Sequence, residues 1–137
     1  MAAISVTATG VIPGSNAQLA QARAAATITA GQAVYLDATG KLNLAANNAV
    51  LTAAAVGIAL NGGAVNQVVD YVMKGQYTAG ATLVQGQPYY VGTAGGIIPV
   101  DDIAGGEYMT LLGHALSTTV IDVTIKATGV TKTGAIA

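Results

Sequence analysis

The feature that most constrains the fold is a stretch of sequence that occurs twice in the chain. Residues Ala24–Gly40 align without a gap on Ala79–Gly95, and the alignment matches glycine, glutamine, threonine and tyrosine. Ordered matches of this kind predict an internal duplication, with one copy spanning residues 24–75 and the other spanning residues 79–127. Two further blocks follow in the same order in each copy: Val56–Leu60 with Leu112–Leu116, and Val68–Lys74 with Val120–Lys126.

Both copies have the residue pattern of short β-strands. Ala33–Asp37 and Pro88–Val91 contain β-forming residues, and each follows a Gly-Gln turn. On Ala55–Leu60 the large side chains alternate with Gly57 and Ala59, so we expect one face to fill a core and the other to allow close approach. The later strand Val68–Lys74 predicts two faces, with Val69, Tyr71 and Met73 on one and Asp70, Val72 and Lys74 on the other.

We therefore predict an all-β fold, a small β-barrel or two-sheet β-sandwich built from two related halves. A single β domain would cover residues 24–127, with an extended N-terminal arm over residues 1–23 and a C-terminal tail over residues 128–137. Ala17–Ala26 and Ala45–Val50 have compositions suited to a helical turn. Neither segment is long enough to change the fold class.

Composition excludes several classes of function. Because the chain has no cysteine, it has no disulfide and no thiolate metal site. Five basic residues against six acidic ones provide no electrostatic footprint for nucleic acid or an anionic membrane, and no run of ~20 apolar residues predicts a spanning helix. Only 8% of residues are charged, and charge depletion is typical of interface centres. We therefore expect much of the surface to be covered by assembly.

The residues offer no constellation for catalysis or for a metal ion. The only histidine, His114, occupies the position that Ile58 holds in the first copy, so we expect it to pack in the core or in an interface. Asp101 and Asp102 are adjacent in a loop, where such residues supply turn hydrogen bonds more often than calcium ligands. We therefore expect no enzymatic activity, no cofactor and no bound metal.

A charged pair recurs in the two copies, as Asp70 with Lys74 and as Asp122 with Lys126. Residues four apart on a strand share a face but lie ~13 Å apart, so neither pair can close within one strand. The recurrence predicts either a solvated polar face or ion pairs across strands or subunits.

The N-terminal residues Ile4–Thr9 alternate as a strand does when it adds to the open edge of a neighbour. We therefore expect Met1–Ile12 to cross to a neighbouring subunit. The candidate subunit or shell contacts are Ile4, Val6, Val11, Ile12, Asp70, Lys74, Asp122 and Lys126.

The order of these motifs resembles the capsid decoration (cement) proteins of tailed bacteriophages. The resemblance covers roughly residues 24 to 127, and its blocks are Gly31–Lys41, Ala54–Leu60, Val68–Gly75, Gly86–Val91 and Leu112–Leu116. It implies a β-tulip-like body without a catalytic site, bound as a homotrimer to the outer surface of the phage head. The implied partners are the major capsid protein and other copies of the chain, and the implied role is to bridge shell subunits.

Two other functions fit the same residues. The chain can be a head-fibre or tail-fibre component, including a trimeric adhesin base, which would lie at vertices or on the tail. It can also be a non-enzymatic glycan-binding β-module whose tyrosines stack on sugar rings. The tyrosines that would form such a surface are Tyr71, Tyr77, Tyr89, Tyr90 and Tyr108.

Overall fold

A computed structural model describes residue 4, residues 6–99 and residues 102–132. Within this part the chain forms ten β-strands, one short helix and one 3₁₀ turn, and no helix is long and apolar enough to span a membrane. The elements are a 3₁₀ turn (Ala8–Gly10), β1 (Val11–Pro13), β2 (Gln18–Arg23), β3 (Ala33–Leu36), β4 (Leu42–Leu44), α1 (Val50–Ala53), β5 (Gly57–Ala59), β6 (Val68–Ala79), β7 (Pro88–Val91), β8 (Ile97–Pro99), β9 (Tyr108–Ala115) and β10 (Val120–Thr131).

All ten strands belong to one antiparallel sheet that curls into a half-barrel. The main path runs β4-β3-β5-β6-β10-β9-β7-β8, and both β1 and β2 pair with β6 outside that path. The predicted all-β, barrel-like fold class is therefore confirmed. The helical turn predicted at Ala45–Val50 is displaced, since α1 begins at Val50.

The strand order is symmetric about the pair β6 and β10. The first half contributes β4-β3-β5-β6, and the second half contributes the corresponding strands in reverse order. In the first half Val34 pairs with Leu44, and in the second half Tyr89 pairs with Pro99. Continuing the ungapped alignment equates these two pairs, so the two hairpins have the same register.

The loops before these hairpins are also held in the same way. The Ile28 N–H donates to the Gly63 carbonyl at 2.9 Å, and the Leu83 N–H donates to the Thr118 carbonyl at 2.8 Å. Ile28 is 2% exposed and Leu83 is 3% exposed, so both side chains are buried, but Leu83 belongs to the larger apolar cluster, to which both halves contribute, and Ile28 belongs to the smaller one. The halves thus share connectivity and pairing, while their origin by duplication and the exact domain limits stay a prediction.

The last strands of the two halves do not follow the sequence alignment. The Leu60 N–H donates to the Asp70 carbonyl at 2.7 Å, and the Leu116 N–H donates to the Val120 carbonyl at 2.9 Å. In the sheet Asp70 therefore corresponds to Val120, two positions before the Asp122 with which the sequence aligns it. The hydrogen bonds between the strands therefore determine which residues correspond in the two halves. The Asp and Lys residues that the sequence alignment matches do not occupy equivalent positions in the sheet.

Apolar side chains pack into two clusters on opposite faces of the sheet. On β5, Ile58 belongs to the larger cluster and Ala59 to the smaller one. A Cβ on Gly57 would collide with the Val72 carbonyl and the Tyr71 ring. The face of β5 that carries glycine and alanine is therefore closely approached by its neighbours, as the alternation of large and small residues predicts. The larger cluster, called the main core below, includes Val11, Tyr35, Ile58, Val72, Tyr77, Leu83, Tyr89, Val91, Leu112, Ile121 and Val123.

The N-terminal segment lies on the body and does not extend from it. Val11–Pro13 pairs with β6, and Gln18–Arg23 pairs with the same strand further along. The Ile4 N–H donates to the Ile97 carbonyl at 3.0 Å. Because β5 and β10 occupy only one edge of the long strand β6, the other edge accepts these residues and satisfies their peptide groups. For the described residues, the predicted crossing arm and the helical turn at Ala17–Ala26 are wrong.

Candidate interaction surface

A β-bulge in β6 separates the polar residues of that strand. Gln18 of β2 pairs with Lys74, and Leu19 pairs with Val72, so Met73 is an extra residue without a partner in this ladder. An extra residue moves the side chains that follow it to the other face of the strand. Val72 is fully buried in the main core, whereas Lys74 is exposed on the opposite face.

Asp70 and Lys74 consequently lie on opposite faces, and the prediction that they share one face is wrong. Gly75, directly after the bulge, has φ +98°, which glycine adopts without the steric cost of a Cβ. A Cβ at Gly75 would also lie 2.5 Å from the Asn16 carbonyl oxygen. Asp70 is half-buried beside a shallow depression on the core side, which Gln21 also lines.

Polar side chains form one surface across β9, β10 and β6. Asp122 lies at its centre, between His114 of β9 and Gln76 of β6. One step along the ladder, Thr124 pairs with Lys74. Directly opposite residues of antiparallel strands project from the same face. We call His114, Asp122, Thr124, Lys126, Gln76 and Lys74 the polar face.

Lys126 is assigned to the polar face from its exposure and its neighbours, although β10 shifts register against β9 between Val123 and Lys126. Ile121 and Val123 are buried in the main core and Ile125 packs against it. Asp122, Thr124 and Lys126 therefore point the other way. Three of the four charged residues predicted as contacts thus lie together, and Asp70 does not join them.

The cations of the polar face differ from the other described cations. Arg23 and Lys41 each donate to Asn66, at 2.8 Å, and the buried Lys132 donates to the Ile103 carbonyl at 2.7 Å. Within the described ranges, neither Lys74 nor Lys126 donates a hydrogen bond to another residue. Asp122 and Lys74 are diagonal neighbours across two strands, a placement that leaves about 7–8 Å between Cα atoms.

His114 is exposed, so the prediction that it packs in the core is wrong, and its alternative place in an interface stays a prediction. Gly113 pairs with Tyr89 and Leu111 pairs with Tyr90, so β9 carries an extra residue at this point. The bulge turns both Leu112 and Ala115 into the main core, each at 1% exposure, and leaves His114 on the polar face. Sequence spacing alone does not show this bulge.

The N-terminal candidates are unequally placed. Ile4 and Val6 pack partly buried against the main core, and Val11 is 8% exposed within it. Ile12 is 56% exposed and pairs with Thr78, which places its side chain on the same side of β6 as the polar face. Among the four, Ile12 alone presents most of its side chain to solvent.

Most of the tyrosines proposed to stack on glycans are buried in the cores. Tyr71, Tyr77 and Tyr89 are 5%, 1% and 2% exposed. Burial raises the pKa of the Tyr77 and Tyr71 phenols, because a phenolate loses its hydration there. The predicted stacking surface is therefore wrong for these three, and Tyr90 and Tyr108 are only half-exposed.

The turn before β9 is closed by Glu107, and the turn role expected of Asp101 and Asp102 stays a prediction. Asp101 lies outside the described residues, and Asp102 lines a shallow depression with Asn47 and Glu107. Glu107 accepts the Ala104 N–H at 2.7 Å, which closes the turn before β9. Among residues 4, 6–99 and 102–132, no group of three His, Cys, Asp or Glu is placed to hold a metal ion.

Comparison of the sequence with protein-family models and with curated proteins finds no match. The function is therefore argued from the residues themselves. The arrangement offers a firm sheet with one polar face, several exposed apolar side chains and two buried cores.

Proposed function

We propose that the chain is a structural virion protein, a capsid decoration (cement) protein that binds the outer surface of a phage head. The resemblance of residues 24–127 supports this role, and so does a barrel-like body of the kind that the resemblance implies. The protein would act without catalysis, as a homotrimer that bridges neighbouring major capsid subunits. It would be made in the host cytoplasm and carried on the mature particle.

The observation that carries the proposal is the character of the surface. Charged residues amount to 8% of the chain, while several large apolar side chains are exposed, from 36% at Leu116 to 59% at Val130. Depletion of charged residues is typical of interface centres, where exposed apolar side chains become buried on association. The other exposed members are Ile12, Leu19, Val50, Leu51, Val65, Val68, Met73 and Val84.

A cement also has to bind weakly at each contact and strongly as an array. Contacts repeated by shell symmetry give avidity that no single small interface provides. We assign the charged part of these contacts to the polar face, because Lys74 and Lys126 are exposed there beside Asp122. Shell binding through these lysines would weaken as salt concentration rises, since solvated ion pairs are screened.

The test is to add the purified protein to heads that lack it and to locate the chain by cryo-EM. Density at three-fold and quasi-three-fold positions over the whole head is the expected result. Density confined to vertices or the tail would assign the chain to a fibre instead. Absence of binding to any part of the particle would overturn a structural virion role.

A matched pair of variants tests the polar face. The double variant Lys74→Gln and Lys126→Gln removes two exposed charges and should lower head occupancy several-fold at low salt. Lys41→Gln is the control for loss of a cation away from this surface, since Lys41 donates to Asn66 in its own half. Equal occupancy by the double variant and the wild type would remove the polar face from the shell contact.

A further inference from the structure

The hairpins that lead into β6 and β10 are closed by different side chains at equivalent places. The Asn61 Oδ1 accepts the Asp70 N–H at 2.8 Å, and the Ser117 Oγ accepts the Val120 N–H at 3.2 Å. Asp70 and Val120 correspond in the sheet, since each of their carbonyls accepts the N–H of the leucine before the closing residue. A carboxamide has an electrophilic carbon and a hydroxyl has none. Only the first of the two hairpins therefore carries a reactive group at this place.

The residue that follows Asn61 has a free nucleophile. Gly62 is exposed to solvent, and this is the one Asn-Gly pair in the sequence. Because glycine has no Cβ, its nitrogen can approach the side chain of the preceding residue without a steric barrier. Within residues 4, 6–99 and 102–132, the Gly62 N–H donates no hydrogen bond. The Gly62 nitrogen is therefore available to attack the Asn61 side chain.

The hydrogen bonds of the Asn61 side chain favour this attack. The Asp70 N–H, at 2.8 Å from Oδ1, polarises the side-chain carbonyl and stabilises the negative charge that Oδ1 gains when a nucleophile adds to Cγ. Nδ2 donates to the Gly62 and Val68 carbonyls at 3.1 and 3.3 Å, longer than the usual distance of about 2.9–3.0 Å. The leaving nitrogen is therefore held less firmly than the carbonyl oxygen.

We propose that Asn61 is a self-modification site, at which the Gly62 nitrogen displaces the side-chain amide. Hydroxide removes the Gly62 N–H proton, the nitrogen bonds to Cγ, the Cγ–Nδ2 bond breaks, and Nδ2 takes a proton from water and leaves as ammonia. A five-membered succinimide ring remains. Water then adds to either ring carbonyl, and the ring opens to aspartate or isoaspartate at position 61. Nothing is oxidised or reduced, and solvent water is the only co-reactant.

The products change the first hairpin and leave the second as it is. Each product adds one negative charge to a chain whose formal net charge is −1. In isoaspartate the former side-chain carbon becomes part of the main chain, so it no longer caps the Asp70 N–H. Ser117 has no such reaction, which confines this slow ageing to one half. The inference does not rest on the proposed function, because the reaction proceeds in the purified protein.

Mass spectrometry of the stored native protein provides the test. Trypsin cleaves after Lys41 and Lys74, and the peptide between these sites contains both Asn61 and Asn66. Asn66 is the internal control, because it is exposed and its Oδ1 also accepts a hydrogen bond, from Lys41 at 2.8 Å, but Gln67 follows it. Exchange of NH₃ for H₂O adds about 1 Da. A sample digested before storage corrects for change during digestion.

We expect fragment ions to show the mass gain at Asn61 at least tenfold faster than at Asn66, in slightly alkaline buffer. The rate at Asn61 should rise with pH, because hydroxide removes the Gly62 proton. A ratio below tenfold, or no gain at Asn61, would overturn the proposal.

Two substitutions separate the reaction from folding. Asn61→Ser removes the reactive carbon and keeps an acceptor for the Asp70 N–H, as Ser117 does in the second half, so the gain should vanish with an unchanged circular dichroism spectrum. Gly62→Ala keeps the asparagine and hinders the attack, so the gain should slow at least tenfold. Its Cβ would lie 3.1 Å from the Ile28 carbonyl oxygen, so its spectrum is also compared with that of the wild type. A folded Gly62→Ala variant that reacts as fast as the wild type would rule out the Gly62 nitrogen as the attacking group.

Discussion

The phenol of Tyr77 is buried in the main core, and among the described residues its hydroxyl has no hydrogen-bond partner. The side chain is 1% exposed, and its oxygen makes no hydrogen bond in the described part of the chain. Tyr89 is buried almost equally at 2% exposure, but its hydroxyl accepts the Val84 N–H at 3.1 Å. The two residues therefore form a matched pair in which the ring is constant and the hydrogen bond differs.

Replacing each tyrosine with phenylalanine should change stability in opposite directions. Burying a hydroxyl without a partner costs about 1–3 kcal/mol, so Tyr77→Phe should raise the free energy of unfolding by about 1 kcal/mol. Tyr89→Phe should lower it by about 1 kcal/mol, because the Val84 N–H loses its acceptor. For a chain of this length, 1 kcal/mol corresponds to about 3–5 °C in the melting temperature.

Guanidinium unfolding followed by circular dichroism measures both changes, with thermal melts as a second assay. Equal m-values for wild type and variants would show that the two states being compared are unchanged. A Tyr77→Phe variant less stable than the wild type by 1 kcal/mol or more would refute the argument, since it would mean that the hydroxyl has a stabilising partner.

Three further predictions concern stability and pH. Gly57→Ala should destabilise the protein by about 3 kcal/mol or more in guanidinium unfolding, because the added Cβ would collide with the neighbouring strand. Gly40→Ala is the control, since its Cβ would have no atom within 4 Å. It should cost about 1 kcal/mol, because alanine is strained at φ +80°. Ile28→Ala and Leu83→Ala should each cost about 2–5 kcal/mol, because each removes a buried side chain from one of the two apolar clusters, and a cost below about 1 kcal/mol at either position would contradict its burial. The hydrogen bond from the Thr39 hydroxyl, followed by the Lys41 N–H, lowers the pKa of Asp37 below 3.8. The stability that this carboxylate contributes is therefore fully present above pH 3.8 and is lost as pH falls through the lowered pKa, so Asp37→Ala should destabilise the protein at pH 7 and progressively less as the pH is lowered below 3.8.

Local pattern was sufficient for the class of the fold and for much of its core. Alternation of large and small residues marked β5 as a strand with a core face, and Ile58 and Ala59 occupy those faces. The matched segments equated Ile28 with Leu83, and both side chains are buried. These predictions succeed because side-chain direction in a strand and turn formation at glycine depend only on neighbouring residues.

The polar face was predicted only in part. Asp122 and Lys126 share a face as their spacing requires, whereas Asp70 and Lys74 have the same spacing and lie on opposite faces. The bulge at Met73 decides this difference, and it arises where β2 changes register against β6. A sequence pattern does not contain that information, because the partner strand is distant in the chain.

What the sequence by itself determined is therefore a charge-poor, all-β chain of two similar halves with matching hairpins. Only the tertiary structure decided which strand edges are paired and which side chains are exposed to solvent. The N-terminal segment pairs with β6 because a long strand leaves one edge unsatisfied, and His114 is exposed because β9 bulges at Gly113. Register, bulges and edge pairing are set by hydrogen bonds between distant segments, and local propensity cannot specify them.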